Sequence, residues 1–335
     1  MKIDEFARRI GIPVSTISKA LNGYADVSAE TRAHVLRAAR RLGYSPNPLG
    51  RRLRQKSSDA IGFVLSPPQT GFAHPFFLNM LMGIDEGLVE TGYHLIITTA
   101  RSLESEVDTF KRLVEKQHVD AMIFSRTRRN DPRIAYLQKR RIPFATFGRS
   151  ETGKPFPFVD IDYAAAGREG VRRLLARGHR RIALVNSPTH YMFSCYRRQG
   201  YEAALRDCGI APDPDLYVEE DITEDGGAHG LQRLMRAASP PTAILCGHDL
   251  MAIGVMRALV AAGKRPGEDV AVIGSDDDPI GRYCDPALTT FSAETRRAGQ
   301  RIVQLLLAAM QGTPAKTLQE VWTPQLIPRA SDGPA

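Results

Sequence analysis

No apolar run in this 335-residue chain approaches the roughly 18 to 20 consecutive residues that a membrane-spanning helix requires, so no membrane partner is expected. The N-terminal MKIDEFARRI is charged and amphipathic from its start and lacks the apolar stretch of a signal peptide, which points to a cytoplasmic protein. Cysteine is sparse: Cys195, Cys208, Cys246 and Cys284 show no C-x-x-C spacing, and neither a zinc site nor a disulfide framework is expected. A Walker A loop, G-x-G-x-x-G after a strand, G-x-S-x-G and H-E-x-x-H are all missing, so neither catalysis nor a cofactor is expected. Net charge is missing over most of the length too. Beyond residue 56 the chain carries 33 Lys and Arg against 33 Asp and Glu.

The excess positive charge is concentrated at one end. Residues 1–56 hold 12 Lys and Arg against 4 Asp and Glu, which is the whole of the net charge of +8. An imbalance confined to one small segment is the footprint of a polyanion-binding module attached to an ordinary globular body, and the first candidate polyanion is DNA. The length suits a small head plus a body of two lobes, and 43% hydrophobic residues suffice for a sizeable core.

Within the head, Ile3, Phe6, Ala7 and Ile10 recur at helical spacing and give one apolar face, closed by Gly11. A second helix is predicted from Val14 to Leu21, burying Ile17, Ala20 and Leu21 and turning Val14, Ser15, Ser18 and Lys19 outward. Ser28 is the expected N-cap of a third helix through Leu42, with Val35, Ala39 and Leu42 inward and Gly43 at its end. Three such helices fit a generic packing unit or a helix-turn-helix. The local charge and the small polar residues of the second helix favour the latter.

The stretch GIPVSTISKALNGYADVSAETRAHVLRAARRLGYSPN closely resembles the headpiece of the LacI/GalR family of bacterial repressors, and the resemblance extends over nearly the whole chain. The family pattern is G-V-S-x-x-T-V-S-R-x-L-N, then V-S-x-x-T-R and G-Y-x-P-N. The resemblance implies that Val14, Ser15 and Lys19 read base edges in the major groove, while Thr16, Ser18 and Asn22 contact phosphates. Pro13 departs from the pattern, replacing the usual Ser that caps this helix and touches a phosphate. Residues 46–54 match the family's hinge helix, although the same residues also read as a basic solvated linker. Gly50 stands where the family usually has Ala, Leu53 aligns with the leucine wedged into the minor groove, and Arg51, Arg52 and Arg54 would lie beside phosphates or in the groove.

From Ala60 onward, short apolar runs (AIGFVL, HLIITTA, DAMIFS, IPFATF, RIALVN, TAILCG, DVAVIG) alternate with amphipathic helical segments, as in covered parallel sheets of an α/β fold. The resemblance implies a periplasmic-binding-protein-like body of two doubly wound lobes joined by three crossings. These are expected near Asp160 to Tyr163, Thr290 to Ala293 and Glu320 to Thr323. The expected organisation is a helix-turn-helix head over 1–45, a hinge over 46–58 and a two-lobed body over 59–335. Lobe 1 is placed at 59–161 and 292–321, lobe 2 at 162–291 and 322–335.

Ligands of open α/β sheets bind beyond the carboxyl ends of the strands, where this chain carries aromatic residues together with Arg, His and Asp. Such groups suit a polyhydroxylated ring with apolar faces and paired hydroxyls. Alignment with the family places His74, Phe76, Phe77, Met80, Arg149, Arg197, His248 and Asp276 in an effector cleft. Arg197 and Asp276 are expected to face one another across it. Arg149 and His248 stand where the lactose-responsive member carries Asp and Asn, which argues against galactosides. Each of these side chains also fits an ordinary surface loop, and Asp276 to Asp278 also fit a cation site.

The reading that unites these features is a homodimeric, effector-controlled repressor of a carbohydrate operon, binding a palindromic operator as double-stranded DNA and a mono- or disaccharide in its cleft. The body's pattern is most similar to α-glucoside-type regulators. No leucine-heptad tail follows LIPRASDG, so a dimer is expected where tailed family members form tetramers. The rivals are a regulator responding to a non-sugar molecule or phosphorylated sugar, an architectural DNA-binding protein without a ligand, and a free sugar-binding protein.

Overall fold

The computed structural model describes residues 1–333 apart from 22, 23, 25, 45–56, 66–74 and 152–153. Asn22, the hinge residues Gly50, Arg51, Arg52, Leu53 and Arg54, and His74 therefore lie outside the described residues. Tertiary contacts divide the chain into two units, Met1–Asp59 and Ala60–Ala335.

Among the described residues the first unit holds three helices. Helix α1 (Ile3–Ile10) ends at Gly11, whose φ of 69° brings its N–H to the Ala7 carbonyl at 3.0 Å. Helix α2 (Val14–Leu21) begins behind Pro13, whose carbonyl accepts from the Ile17 N–H at 3.0 Å. Proline thus holds the cap position without a side-chain acceptor. Helix α3 (Ala29–Arg41) is capped by Ser28, whose hydroxyl accepts from the Thr31 N–H at 3.2 Å. Phe6, Ile17 and Val35 are fully buried, and the rings of Phe6 and Tyr44 stack at 4.3 Å, tying the chain after α3 to α1. Leu21 and Leu42 pack against this core half-buried.

In the second unit, one lobe is a six-stranded parallel sheet: β1 (Ala60–Leu65), β2 (His94–Thr99), β3 (Ala121–Phe124), β4 (Phe144–Phe147), β5 (Phe158–Ile161) and β11 (Gln319–Trp322), in the order β11-β5-β4-β3-β1-β2. Alternate residues serve opposite helical layers, as a period of two dictates. Ile61, Phe63, Ile123 and Val159 pack with Ile84 of α4 (Pro75–Leu88) and Ile302 of α11 (Thr295–Met310). Val64, Met122, Phe124 and Phe144 pack with Phe110 of α5 (Leu103–Glu115) and Ile134 of α6 (Pro132–Arg140). The expectation that every strand is covered on both faces fails at β2. It is the sheet edge, and His94, Ile97 and Thr99 are exposed.

The other lobe holds β6 (Ile182–Asn186), β7 (Tyr217–Glu219), β8 (Ala243–Cys246) and β9 (Ala271–Ile273) in the parallel order β7-β6-β8-β9. Helices α7 (Tyr163–Ala176) and α8 (Met192–Asp207) cover one face, α9 (Glu224–Leu234) and α10 (Asp249–Ala261) the other. A pair of short antiparallel strands, β10 (Thr290–Ser292) and β12 (Gln325–Ile327), joins this lobe. The chain passes between lobes at Asp162, at residues 293–294 and at residues 323–324. The cleft between the lobes is lined by residues at and beyond the carboxyl ends of the strands, among them Arg126 after β3, Gly148 after β4 and His248 after β8.

Candidate functional site

On α2 the second unit of the helix-turn pair presents Ser15 and Lys19 exposed, with Val14, Thr16 and Ser18 half-buried. The burial of Ile17 and Ala20 sets this orientation. Lys19 does not stand free: its ammonium pairs with the Asp26 carboxylate, which raises the lysine pKa and lowers that of Asp26.

In the body, lobe 1 contributes an aromatic wall. Phe76 and Phe77 open α4 with rings 5.4 Å apart and edge to face, and Phe76 meets Phe147 at the end of β4 at 5.7 Å. Arg149, just beyond Gly148, places its Nε 2.8 Å from Asp160 Oδ2 and its guanidinium 4.2 Å from the Tyr196 ring of lobe 2. Burial raises the Asp160 pKa to about 7, outweighing the opposing pull of Arg149. Arg126, in the loop after β3, lines the same cavity.

Lobe 2 contributes the polar floor. Arg197 on α8 is 1% exposed, donates to Asn186 Oδ1 at 3.1 Å and lies 5.0 Å from the Tyr163 ring centre, while its Nε and Nη2 have no hydrogen-bond partner among the described residues. The approach of α8 to α7 that holds it there depends on glycine: a Cβ on Gly200 would lie 2.0 Å from the Ala164 carbonyl. His248 Nδ1 lies 2.9 Å from Asp276 Oδ2, and its ring meets Phe193 edge to face at 5.5 Å. Burial keeps the His248 pKa below its usual 6.5, against the pull of Asp276, so the ring is neutral at pH 7. A carboxylate only accepts, so Nδ1 carries the proton and Nε2 is left as an acceptor facing Ser187 Oγ at 3.5 Å. Asp276 Oδ1 is buried and has no hydrogen-bond partner among the described residues.

Phe76, Phe77 and His248 thus line one cavity, with Arg149, Arg197 and Asp276 at its edges and beneath it. Two expectations need correction. Met80 is fully buried in the lobe 1 core because the face of α4 that carries it packs against α11, and it does not line the cavity. Arg197 and Asp276 do not face one another across the cleft, since both stand on lobe 2. In the Asp276 to Asp278 run, Asp277 pairs with Arg329 and Arg282 and Asp278 caps the 3-10 turn that follows it, and among the described residues no group of three or more His, Cys, Asp or Glu is placed to hold a metal ion. Sequence reasoning missed Arg126, Phe147, Asp160, Tyr163, Phe193 and Ile222, all lining the cavity. Arg126 was within reach, because it follows DAMIFS as Arg149 follows IPFATF.

Residues 2–47 match the family described as bacterial regulatory proteins, lacI family, and residues 171–331 match the periplasmic binding protein-like domain. The HTH-type transcriptional regulator AglR of Rhizobium meliloti (strain 1021) is 38% identical over 100% of this chain and 95% of its own length. The chain belongs to the LacI family. The HTH-type transcriptional regulator CelR of Thermobifida fusca, another LacI-family relative, is 32% identical over 98% of this chain and 97% of its own. A solved complex of transcriptional regulator CelR with cellobiose superposes with a TM-score of 0.76 at 31% identity, covering 99% of both chains. The lac repressor dimer bound to operator and an anti-inducer gives a TM-score of 0.83 at 25% identity over 100% of this chain and 99% of that one. LacI-family proteins are transcriptional regulators that bind DNA through the helix-turn-helix, and α1 and α2 are that element here. No helix among the described residues is long and apolar enough to cross a membrane.

Proposed function

We propose that this LacI-family regulator is a cytoplasmic, non-enzymatic repressor of a carbohydrate operon, released from its operator by a mono- or disaccharide held between the lobes. The observation that carries the sugar reading is a set of buried polar groups left half-satisfied beside aromatic rings: Arg197 Nε and Nη2 and Asp276 Oδ1. Buried donors and acceptors without partners are costly, and a ring bearing adjacent hydroxyls supplies both kinds of partner at once. Phe76, Phe77 and Phe193 supply faces for its C–H groups, with Arg149 and His248 completing the polar contacts. The cellobiose complex of CelR supports the same class of ligand.

In the head, residues 1–45, Val14, Ser15 and Lys19 read base edges, and Thr16, Ser18 and Asn22 hold phosphates. Residues 46–58 are the hinge, with Gly50 and Arg51 against the minor groove and Leu53 as its wedge. The body, residues 59–335, dimerises. Leu78 and Met82, exposed one turn apart on α4, support a self-associating face, and a dimer matches a palindromic operator. Sugar binding then shifts the population toward lobe arrangements in which the paired hinges cannot occupy the operator.

The test is operator binding, with a site selected from random duplexes, titrated with a panel of neutral mono- and disaccharides and their phosphates. One neutral sugar releasing the operator is the expected result. A response confined to a sugar phosphate, or no response at all, replaces this reading with the corresponding alternative.

A further inference from the structure

Arg126 is a buried cation that the fold supports but does not neutralise. It is 9% exposed and, among the described residues, forms no ion pair. Its neighbours take the carboxylates: Asp131 and Glu106 pair with Arg133 at 2.7 Å each, and Arg128 also pairs with Glu106. What Arg126 receives from this network is a fixed backbone. Its φ is 53°, a left-handed conformation rare for a long side chain, and its carbonyl accepts from Arg133 Nη2 at 2.9 Å. The guanidinium carbon then lies 5.0 Å from the Phe77 ring centre in lobe 1 and 6.0 Å from that of Tyr191 in lobe 2.

The main chain makes a second link at the same place. The next carbonyl, that of Thr127, accepts from the Met192 N–H at 3.0 Å, and Arg128 bridges Tyr191 in antiparallel fashion. The lobes therefore touch at a point separate from the three crossings, and Arg126 sits on the cavity side of it.

We propose that Arg126 is an effector-binding and specificity-determining residue, whose guanidinium donates to oxygen acceptors of a neutral sugar as lobe 1 closes on lobe 2. The inference rests on the reading of the cleft as a sugar site. The Tyr191 hydroxyl is one hydrogen-bond partner of the guanidinium, and its remaining in-plane N–H groups, with no carboxylate paired to them among the described residues, are left for a ligand. A buried unpaired charge is unfavourable for folding, so its presence beside a cavity is accounted for by a ligand that completes its hydrogen bonds. Together with the unpartnered N–H groups of Arg197 on lobe 2, it gives the cleft a cationic donor without an ion-pair partner on each lobe among the described residues.

The experiment uses the full-length chain, wild type and Arg126→Met, with maltose, sucrose, trehalose and cellobiose as probes in calorimetric titrations, and melting temperatures recorded without ligand. Methionine fills the slot between the rings and removes the charge. The expected result is binding of the best probe weakened roughly 10-fold to 150-fold, with partial recovery in Arg126→Lys, and a ligand-free melting temperature equal to or above wild type. A structural cation behaves oppositely: the melting temperature falls and affinity for the probe is retained, and that result overturns the proposal. Should no probe bind the wild type, the sugar reading itself fails. The melting temperature still decides for Arg126 in that case, a fall assigning it a structural role and overturning the proposal.

Discussion

Arg149 Nε lies 2.8 Å from Asp160 Oδ2 while its guanidinium faces the Tyr196 ring across the lobes at 4.2 Å. The pair is unequal, because Arg149 keeps a quarter of its side chain in solvent and Asp160 keeps almost none. Burial therefore prevails at the carboxylate, and its pKa rises from 3.8 to about 7. A folded-state pKa above the unfolded one contributes stability that is complete below 3.8 and lost as pH rises through 7. Asp160→Asn removes this dependence. The melting temperature of the variant relative to wild type is expected to be higher at pH 8 than at pH 5, by an amount corresponding to a few kcal/mol. His248 acts in the opposite sense, with stability lost as pH falls below 6.5, and it cancels in the difference because both proteins retain it. A difference that is flat or rises toward acid would show that Asp160 is ionised in the folded protein.

Arg197 and Asp276 share one lobe and one deficit of hydrogen bonds. Arg197→Ala and Asp276→Ala each remove a charged partner from a desolvated site, where the loss is typically about 1.5 to 3 kcal/mol. The sugar concentration that half-releases operator is expected to rise roughly 10-fold to 150-fold in either variant, the same energy expressed as a ratio. Operator titrations on wild type and both variants measure this, and a variant responding like wild type removes that residue from the site.

Much of this organisation was legible in the chain. The helical spacing of Ile3, Phe6, Ala7 and Ile10, the Ser28 cap and the seven apolar runs correspond to elements observed here, because each is set by local chemistry. Less visible were β5, β7, β10, β11 and β12, which are only three or four residues long. Such strands depend on neighbours distant in sequence, as β11 depends on β5. At the site, Arg197, His248 and Asp276 announced themselves by position after strand ends, whereas Tyr163 and Phe193 read as ordinary helix residues. Met80 shows the converse limit: spacing along α4 does not reveal which turn meets the cavity and which meets α11.

Lys19 is held by Asp26 in the head without DNA, so reading a base requires either exchange of that partner or sharing it. The pair is solvent-exposed and weak enough to exchange. Lys19→Ala is expected to relax discrimination at one operator position by roughly 1 to 3 kcal/mol, the usual value for a lysine on a guanine edge. Asn22→Ala is expected to weaken all sequences about equally, since a phosphate contact carries no base information. Affinities for an operator and its single-position variants, measured at one fixed salt concentration, separate the two effects. Equal, sequence-neutral losses would mean that α2 sits in a different register on DNA.

Gly200 lies one turn beyond Arg197 on α8, where that helix meets α7. A Cβ there would stand 2.0 Å from the Ala164 carbonyl oxygen and 2.7 Å from its carbon, and backbone atoms cannot turn aside as a side chain can. Gly200→Ala must therefore part the two helices, and overpacking of this kind typically costs about 1 to 3 kcal/mol. Because Arg197 rides on the displaced turn, its 3.1 Å bond to Asn186 is strained by the same movement, so sugar affinity falls together with melting temperature. Arg206→Ala on the exposed side of α8 serves as the control, with a stability change expected within about 0.5 kcal/mol of zero. If Gly200→Ala melts like wild type and binds sugar equally well, α7 and α8 are farther apart than described, and Arg197 is not held by their contact.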